Sequence, residues 1–129
     1  MTKAVLGSAS PCFIVSNVPQ SIAFYRDQLG FETRFREPDE DSSFAIVGRD
    51  ATQIFIKAED GIVPVPNSTR HRHLGLDAFI YVQDPDALAA EFESRGTAFY
   101  VPLCDTHDGL RGFQVRDPNG YILFFGRPR

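Results

Sequence analysis

Phe13-Ile14-Val15-Ser16-Asn17 is an apolar run that stops at a residue suited to cap a helix, and Val18, Ile22, Tyr25 and Leu29 follow it. Spacings of four, three and four put those four side chains on one helical face. Gly30 ends the helix, because glycine enters the left-handed conformation at little cost. Phe31 to Arg36 then reads as a strand.

The same plan recurs further along. Phe79-Ile80-Tyr81-Val82-Gln83 reads as a strand and Asp84 as a cap. Pro85 takes the first helical position, where its missing N–H is harmless. Leu88, Ala89 and Phe92 mark the buried face, Gly96 the end, and Thr97 to Val101 the next strand. The spacing predicts helices over about 18–29 and 85–95. From Asn17 to Asp84 the offset is 67 residues, and from Gly30 to Gly96 it is 66.

Each half closes with a hairpin. Ser43 to Val47 and Gln53 to Lys57 flank Gly48-Arg49-Asp50-Ala51. Gly112 to Arg116 and Tyr121 to Phe125 flank Asp117-Pro118-Asn119-Gly120. Asp-Pro-Asn-Gly is a strong turn signal, since proline presets φ and Asn and Gly accept the conformations a turn requires. Here the offset, Ser43 to Gly112, is 69. Ala58 to Leu74, polar and broken by Pro64, Pro66 and Asn67, reads as a linker. The expectation is an α+β fold with two βαβββ modules, about 8–58 and 76–127, joined by residues 59–75 in a single domain spanning 1–129.

The composition excludes several functions. At 43% hydrophobic and 23% charged, the chain has the proportions of an ordinary globular protein. A net charge of -4 argues against a nucleic-acid partner, because phosphate binding needs clustered Lys and Arg, and the longest basic cluster is Arg70-His71-Arg72-His73. That acidity is weakly compatible with a cationic small molecule. Cys12 and Cys104 match no zinc or CxxC pattern and read as free thiols in a reducing cytosol. Met1 to Ser10 lacks the apolar run of a signal peptide, and no stretch approaches the length of a membrane span. The expected location is the cytoplasm. Twelve Phe and no Trp suggest a core or cavity lined with rings.

The stretch Val15 to Phe31, the helix region Tyr81 to Gly96 and the closing hairpin Gly109 to Tyr121 together resemble the vicinal-oxygen-chelate proteins of the glyoxalase, bleomycin-resistance and dioxygenase type. The resemblance spans nearly the whole chain. It implies that the two modules' mixed sheets curl into a cup around a cavity. It also implies a homodimer, with the cup built between two chains or within one. In the enzymes of that family the cup holds a divalent metal, on His or Gln from each module's first strand and Glu from each last strand. Carried onto this sequence, those positions fall at Ser10, Phe55 (allowing one residue of slip), Asp77 and Phe124. One carboxylate cannot hold a catalytic metal, which needs about three protein ligands. The expectation is therefore no metal, no cofactor and no catalytic residue, as in the bleomycin-resistance branch.

Phe55 and Phe124 read in two ways: rings that stack on a flat ligand, or core filling. Alternation places Ile122 with Phe124, and Gln114, between Phe113 and Val115, toward the cup with Phe79. Cys12, two residues past Ser10, shares the cavity face. Asp77 has three readings: paired with an Arg, meeting a cationic ligand, or solvated. His71 and His73 with Asp77 offer a displaced metal site, or form a solvated loop. His107 lies in a loop that the resemblance places at the cavity mouth, as a ligand contact or an exposed turn. Two functions follow. The first is a protein binding a small aromatic or cationic molecule, an antibiotic among the candidates. The second is a metal-dependent or metal-free lyase, isomerase or dioxygenase.

Overall fold

A computed structural model of the chain describes residues 3–38, 43–73 and 75–129. Strand β1 (Cys12–Ile14) leads into helix α1 (Val18–Leu29), then β2 (Glu32–Arg36), β3 (Phe44–Arg49) and β4 (Thr52–Lys57). The linker holds one helical turn, α2 (Asn67–Arg70). Then β5 (Ala78–Tyr81), α3 (Pro85–Ser94), β6 (Val101–Asp105), β7 (Leu110–Arg116) and β8 (Ile122–Pro128) repeat the first half. The strand orders are β1-β4-β3-β2 and β5-β8-β7-β6. In each sheet the module's first strand runs parallel to its last, and the other pairs are antiparallel. Parallel pairing needs a long crossover, and α1 and α3 stand inside those crossovers.

Both caps work as the spacing predicts. The Asn17 side chain accepts from the Gln20 N–H at 2.8 Å, and Asp84 accepts from the Ala87 N–H at 3.0 Å. Gly30 ends α1 at φ 71°. The predicted face Val18, Ile22, Tyr25 and Leu29 is buried, with Ser21 beside it. On α3, Pro85, Ala89 and Phe92 are buried, while Leu88 is only half-buried.

Alternate strand residues face the helices: Ala45, Val47, Ile54 and Ile56 in the first sheet, and Phe113, Val115, Leu123 and Phe125 in the second. The two rows and both helices merge into one buried cluster across the modules. The Asp117 turn and α1 are locked together. Tyr25 Oη donates to Asp117 at 2.9 Å, Tyr121 Oη donates to the Ile14 carbonyl at 2.7 Å, and the Phe13 and Tyr121 rings stack at 4.2 Å. At the other end of α1 both modules cap its carbonyls: Thr97 Oγ1 of module 2 donates to Gln28 O at 2.6 Å, and Arg49 Nη1 of module 1 to Leu29 O at 3.0 Å.

One expectation needs correction. The strand read over Thr97 to Val101 is not there; β6 begins at Val101. Thr97 is drawn back to α1, Phe99 turns edge-on to Phe113 at 5.3 Å, and only the Tyr100 N–H joins Gln114 ahead of the strand. Pro102, which has no N–H to give, then accompanies a register shift between Val101 and Cys104. The linker carries α2 as a single turn. No helix among the described residues is long and apolar enough to cross a membrane.

Candidate functional site

The face of each sheet turned away from its helix carries the rings. In the second sheet the register aligns Phe79 with Phe124 and Phe124 with Gln114. The Phe79 and Phe124 rings stack at 4.9 Å and 16°, and Tyr81 adds a third ring 4.6 Å from Phe79. A pair of glycines makes room for the stack. A Cβ on Gly112 would stand 2.8 Å from Phe124 Cε1, and one on Gly126 would stand 2.6 Å from it. Phe124 therefore lies on bare backbone with Phe79 above it, and is only 3% exposed. Tyr81 is 75% exposed.

In the first sheet Phe55 aligns with Cys12 on one side and Ile46 on the other. Phe55 meets Phe44 edge-on at 5.8 Å, and Phe44 meets Phe35 at 5.9 Å. Phe35 on the edge strand β2 is half-exposed. Arg34 folds over Gly48 and donates to Gln53 at 3.3 Å, which closes the far end of this face.

Asp77 is neither paired with an arginine nor left to solvent. One carboxylate oxygen accepts the Asn67 N–H at 2.7 Å and the other accepts the Ile122 N–H at 2.8 Å. It ties the linker to the start of β8. Asp77 and Cys12 share a groove of 410 Å³ between β1 and the linker, with Ile62, Val63 and Arg70 along its sides.

The nine sequence-predicted residues thus divide. Phe79, Gln114 and Phe124 come together on the second sheet, with Ile122, 2% exposed, two residues before Phe124. Phe55 belongs to the first sheet, and Cys12 and Asp77 line the linker groove. Ser10 precedes β1, and His107 stands exposed on the β6–β7 turn. Sequence reasoning missed Tyr81, Gly112 and Gly126. The available signal was period two: Tyr81 follows Phe79, and Gly126 follows Phe124, each by two.

A catalytic metal does not fit these residues. Ser10, Phe55 and Phe124 offer no imidazole or carboxylate, and both oxygens of Asp77 are engaged by backbone. His71 Nδ1 accepts the His73 N–H at 3.1 Å, so the local turn occupies that nitrogen. Among the described residues no three His, Cys, Asp or Glu cluster for a metal ion.

Three of the perturbed ionisable groups lie at the seam between modules. Burial pushes the Asp117 carboxyl above its ordinary value, against the Tyr25 hydroxyl and the Tyr121 and Asn119 N–H groups that favour its charged form. Burial, and then Asp117 itself, hold the Tyr25 hydroxyl well above its usual range. Glu91 is held at about 2, first by the Arg49 guanidinium that grips it through two 2.8 Å hydrogen bonds, with Arg95 adding a third. These groups join modules; none of them stands among the stacked rings.

The glyoxalase/bleomycin resistance protein/dioxygenase superfamily model matches residues 7–125. The chain belongs to that superfamily. A bleomycin-binding protein from bleomycin-producing Streptomyces verticillus, solved with copper(II)-bleomycin, is 30% identical, with 100% of each chain covered and a TM-score of 0.70. TioX from Micromonospora sp. ML1 is 20% identical, over 95% of this chain and 100% of its own, at a TM-score of 0.72. An antibiotic-binding protein from a Streptomyces species is 18% identical, over 98% and 100%, at 0.67. The last two likenesses establish the fold alone. A comparison with curated proteins finds no match. The superfamily member described here has two open sheets carrying rings, joined through their helices.

Proposed function

We propose that the protein binds and sequesters a small planar aromatic or cationic molecule, antibiotics among them, without metal chemistry. The observation that carries this reading is the stacked Phe79–Phe124 pair on the open face of the second sheet, extended by the exposed ring of Tyr81. A flat ligand laid on Phe79 or Tyr81 gains about 1 kcal/mol per good ring pair beyond plain burial. Gln114, beside Phe124 in register, adds an amide that both donates and accepts. Phe124 is itself covered, so its part is to hold Phe79 in place. The antibiotic class is supported by the whole-length likeness to the bleomycin-binding protein, and the cationic class by the net charge of -4. Sequestration rather than turnover is supported by the residue types at Ser10, Phe55 and Phe124 and by the engaged oxygens of Asp77.

Titration calorimetry with copper(II)-bleomycin and a panel of flat aromatic cations tests the reading. At least one compound is expected to bind, with Phe79→Ala weakening it about tenfold. Binding by no compound overturns it. Elemental analysis that finds one Zn, Fe, Ni or Mn retained per chain after dialysis overturns the metal-free part and returns the lyase, isomerase or dioxygenase reading.

The proposal extends to one domain that dimerises in the cytoplasm. The single buried cluster across both modules supports one domain. The open rings of Phe35 and Tyr81, together with Val5 and Leu6 at 92% and 94% exposure, support cover by a second copy. Two free thiols support a reducing compartment. Light scattering that shows a stable monomer at micromolar concentration overturns the dimer.

A further inference from the structure

A second cavity lies at the seam between modules, where the β3–β4 turn meets the start of α3. It holds 430 Å³, within the roughly 300–1,000 Å³ usual for small-molecule sites. Its floor is made of Phe31, Phe92 and Phe125, each no more than 4% exposed. Ile80, Val82 and Leu88, all half-buried, form the sides. Leu88 is the one predicted helix-face residue that the core leaves partly open, and this cavity is what it borders.

The rim is polar and unbalanced. Arg49, Asp50, Asp84 and Glu91 all line it, and with Arg95 held on Glu91 behind the rim two guanidiniums stand against three carboxylates. Arg49 is already satisfied, with Nη1 and Nη2 each 2.8 Å from a Glu91 oxygen. Asp50, from module 1, acts on the Arg49 charge without a direct ion pair, and Asp84, from module 2, has no ion-pair partner among the described residues. Asp84 gives one oxygen to the Ala87 N–H and keeps the other free. An apolar floor under a net negative mouth complements a molecule with an alkyl body and a cationic head. The body leaves water, and the head stays at the partly hydrated rim against the carboxylates.

We propose that this seam cavity is a second binding site, for a small organic cation of the alkylammonium class. It meets the ring-bearing face of the second sheet only at Tyr81, which borders both, and its occupant touches both modules at once. A neutral molecule of the same shape meets only the floor, and an anion is repelled by the rim.

Hexylammonium chloride, hexanol and hexanoate, titrated into the full chain and followed by amide chemical shifts, decide the matter. Hexylammonium is expected to bind about fivefold or more tighter than hexanol, with hexanoate weakest. The shifts are expected at Asp50, Ala87 and Leu88, and not at Phe79 or Gln114. The double variant Asp50→Asn, Asp84→Asn is expected to bring hexylammonium down to the level of hexanol. It is expected to fold as the parent does, because Asn caps helices as well as Asp and tolerates the positive φ of 52° at position 50. Equal affinity for hexylammonium and hexanol in the parent overturns the proposal. So does a preference that survives the double variant, or shifts confined to the sheet faces. Each of these outcomes leaves the reading of Phe79 intact, because Phe79 does not line the cavity, and Phe79→Ala leaves this test intact.

Discussion

Phe55 and Phe124 stand 69 residues apart at matching places in the two modules, yet they are packed differently. Phe124 is overlaid by Phe79 from the parallel neighbour strand, where Phe55 has Cys12. Two residues on, the strand partners are Gly112 and Gly126 beside Phe124, but Phe44 and Lys57 beside Phe55. Glycines let the Phe124 ring lie flat on backbone; Phe44 forces Phe55 into an edge-on meeting. The same residue in the same repeat position is therefore core in one module and half-open surface in the other. The lesson is that the role of an aromatic residue on a sheet is set by the cross-strand neighbours, which a repeat does not preserve.

The largest expected effect comes from removing each ring. Phe124→Ala is expected to cost about 3–5 kcal/mol in urea melts, while Phe55→Ala is expected to cost about 1–2 kcal/mol, since its ring is only half-buried. Equal losses would break the comparison. Next are the residues beside the rings. In Gly126→Ala the new Cβ would meet Arg111 O at 2.5 Å and Phe124 Cε1 at 2.6 Å. A loss of about 1–3 kcal/mol is expected, with a changed near-ultraviolet circular dichroism signal from the displaced ring stack. Lys57→Ala, at the matching exposed position, is expected to stay within about 0.5 kcal/mol of the parent.

The smallest effect concerns whether each face belongs to its own module. Glu91 is held at about 2, below its ordinary 4.5, by Arg49 across the seam. A lowered carboxylate stabilises the fold above its unfolded value and loses that contribution as pH falls from about 4.5 toward about 2. With the pair about a third exposed, solvent screening limits the loss to about 1 kcal/mol. Melts of Glu91→Gln against the parent between pH 6 and about pH 2.5 read this directly: the difference is expected to shrink as pH falls. The ring signals of Phe79 and Phe55 are expected to stay unchanged. If they move with the seam, the two faces are not independent.

Much of this was legible along the chain. The caps Asn17 and Asp84, the apolar spacing from Val18 to Leu29, and the Asp117-Pro118-Asn119-Gly120 turn each act within a few residues, so local chemistry was enough to place them. The strand after α3 starts later than the sequence suggests because Thr97 answers to Gln28, 69 residues away, rather than to its neighbours. In sequence Asp77 admits three readings because its two partners, the N–H groups of Asn67 and Ile122, come from different segments.

By itself the sequence determined two capped βαβββ modules and their order, because periodicity and capping are local properties. Only the tertiary structure decided that Phe124 is covered while Phe79 and Tyr81 are presented, that Asp77 is a tie between segments, and that a carboxylate-rimmed cavity opens at the seam. Each of those depends on which side chain stands across a strand or a module boundary, and pairing across tens of residues is set by packing that no local pattern encodes.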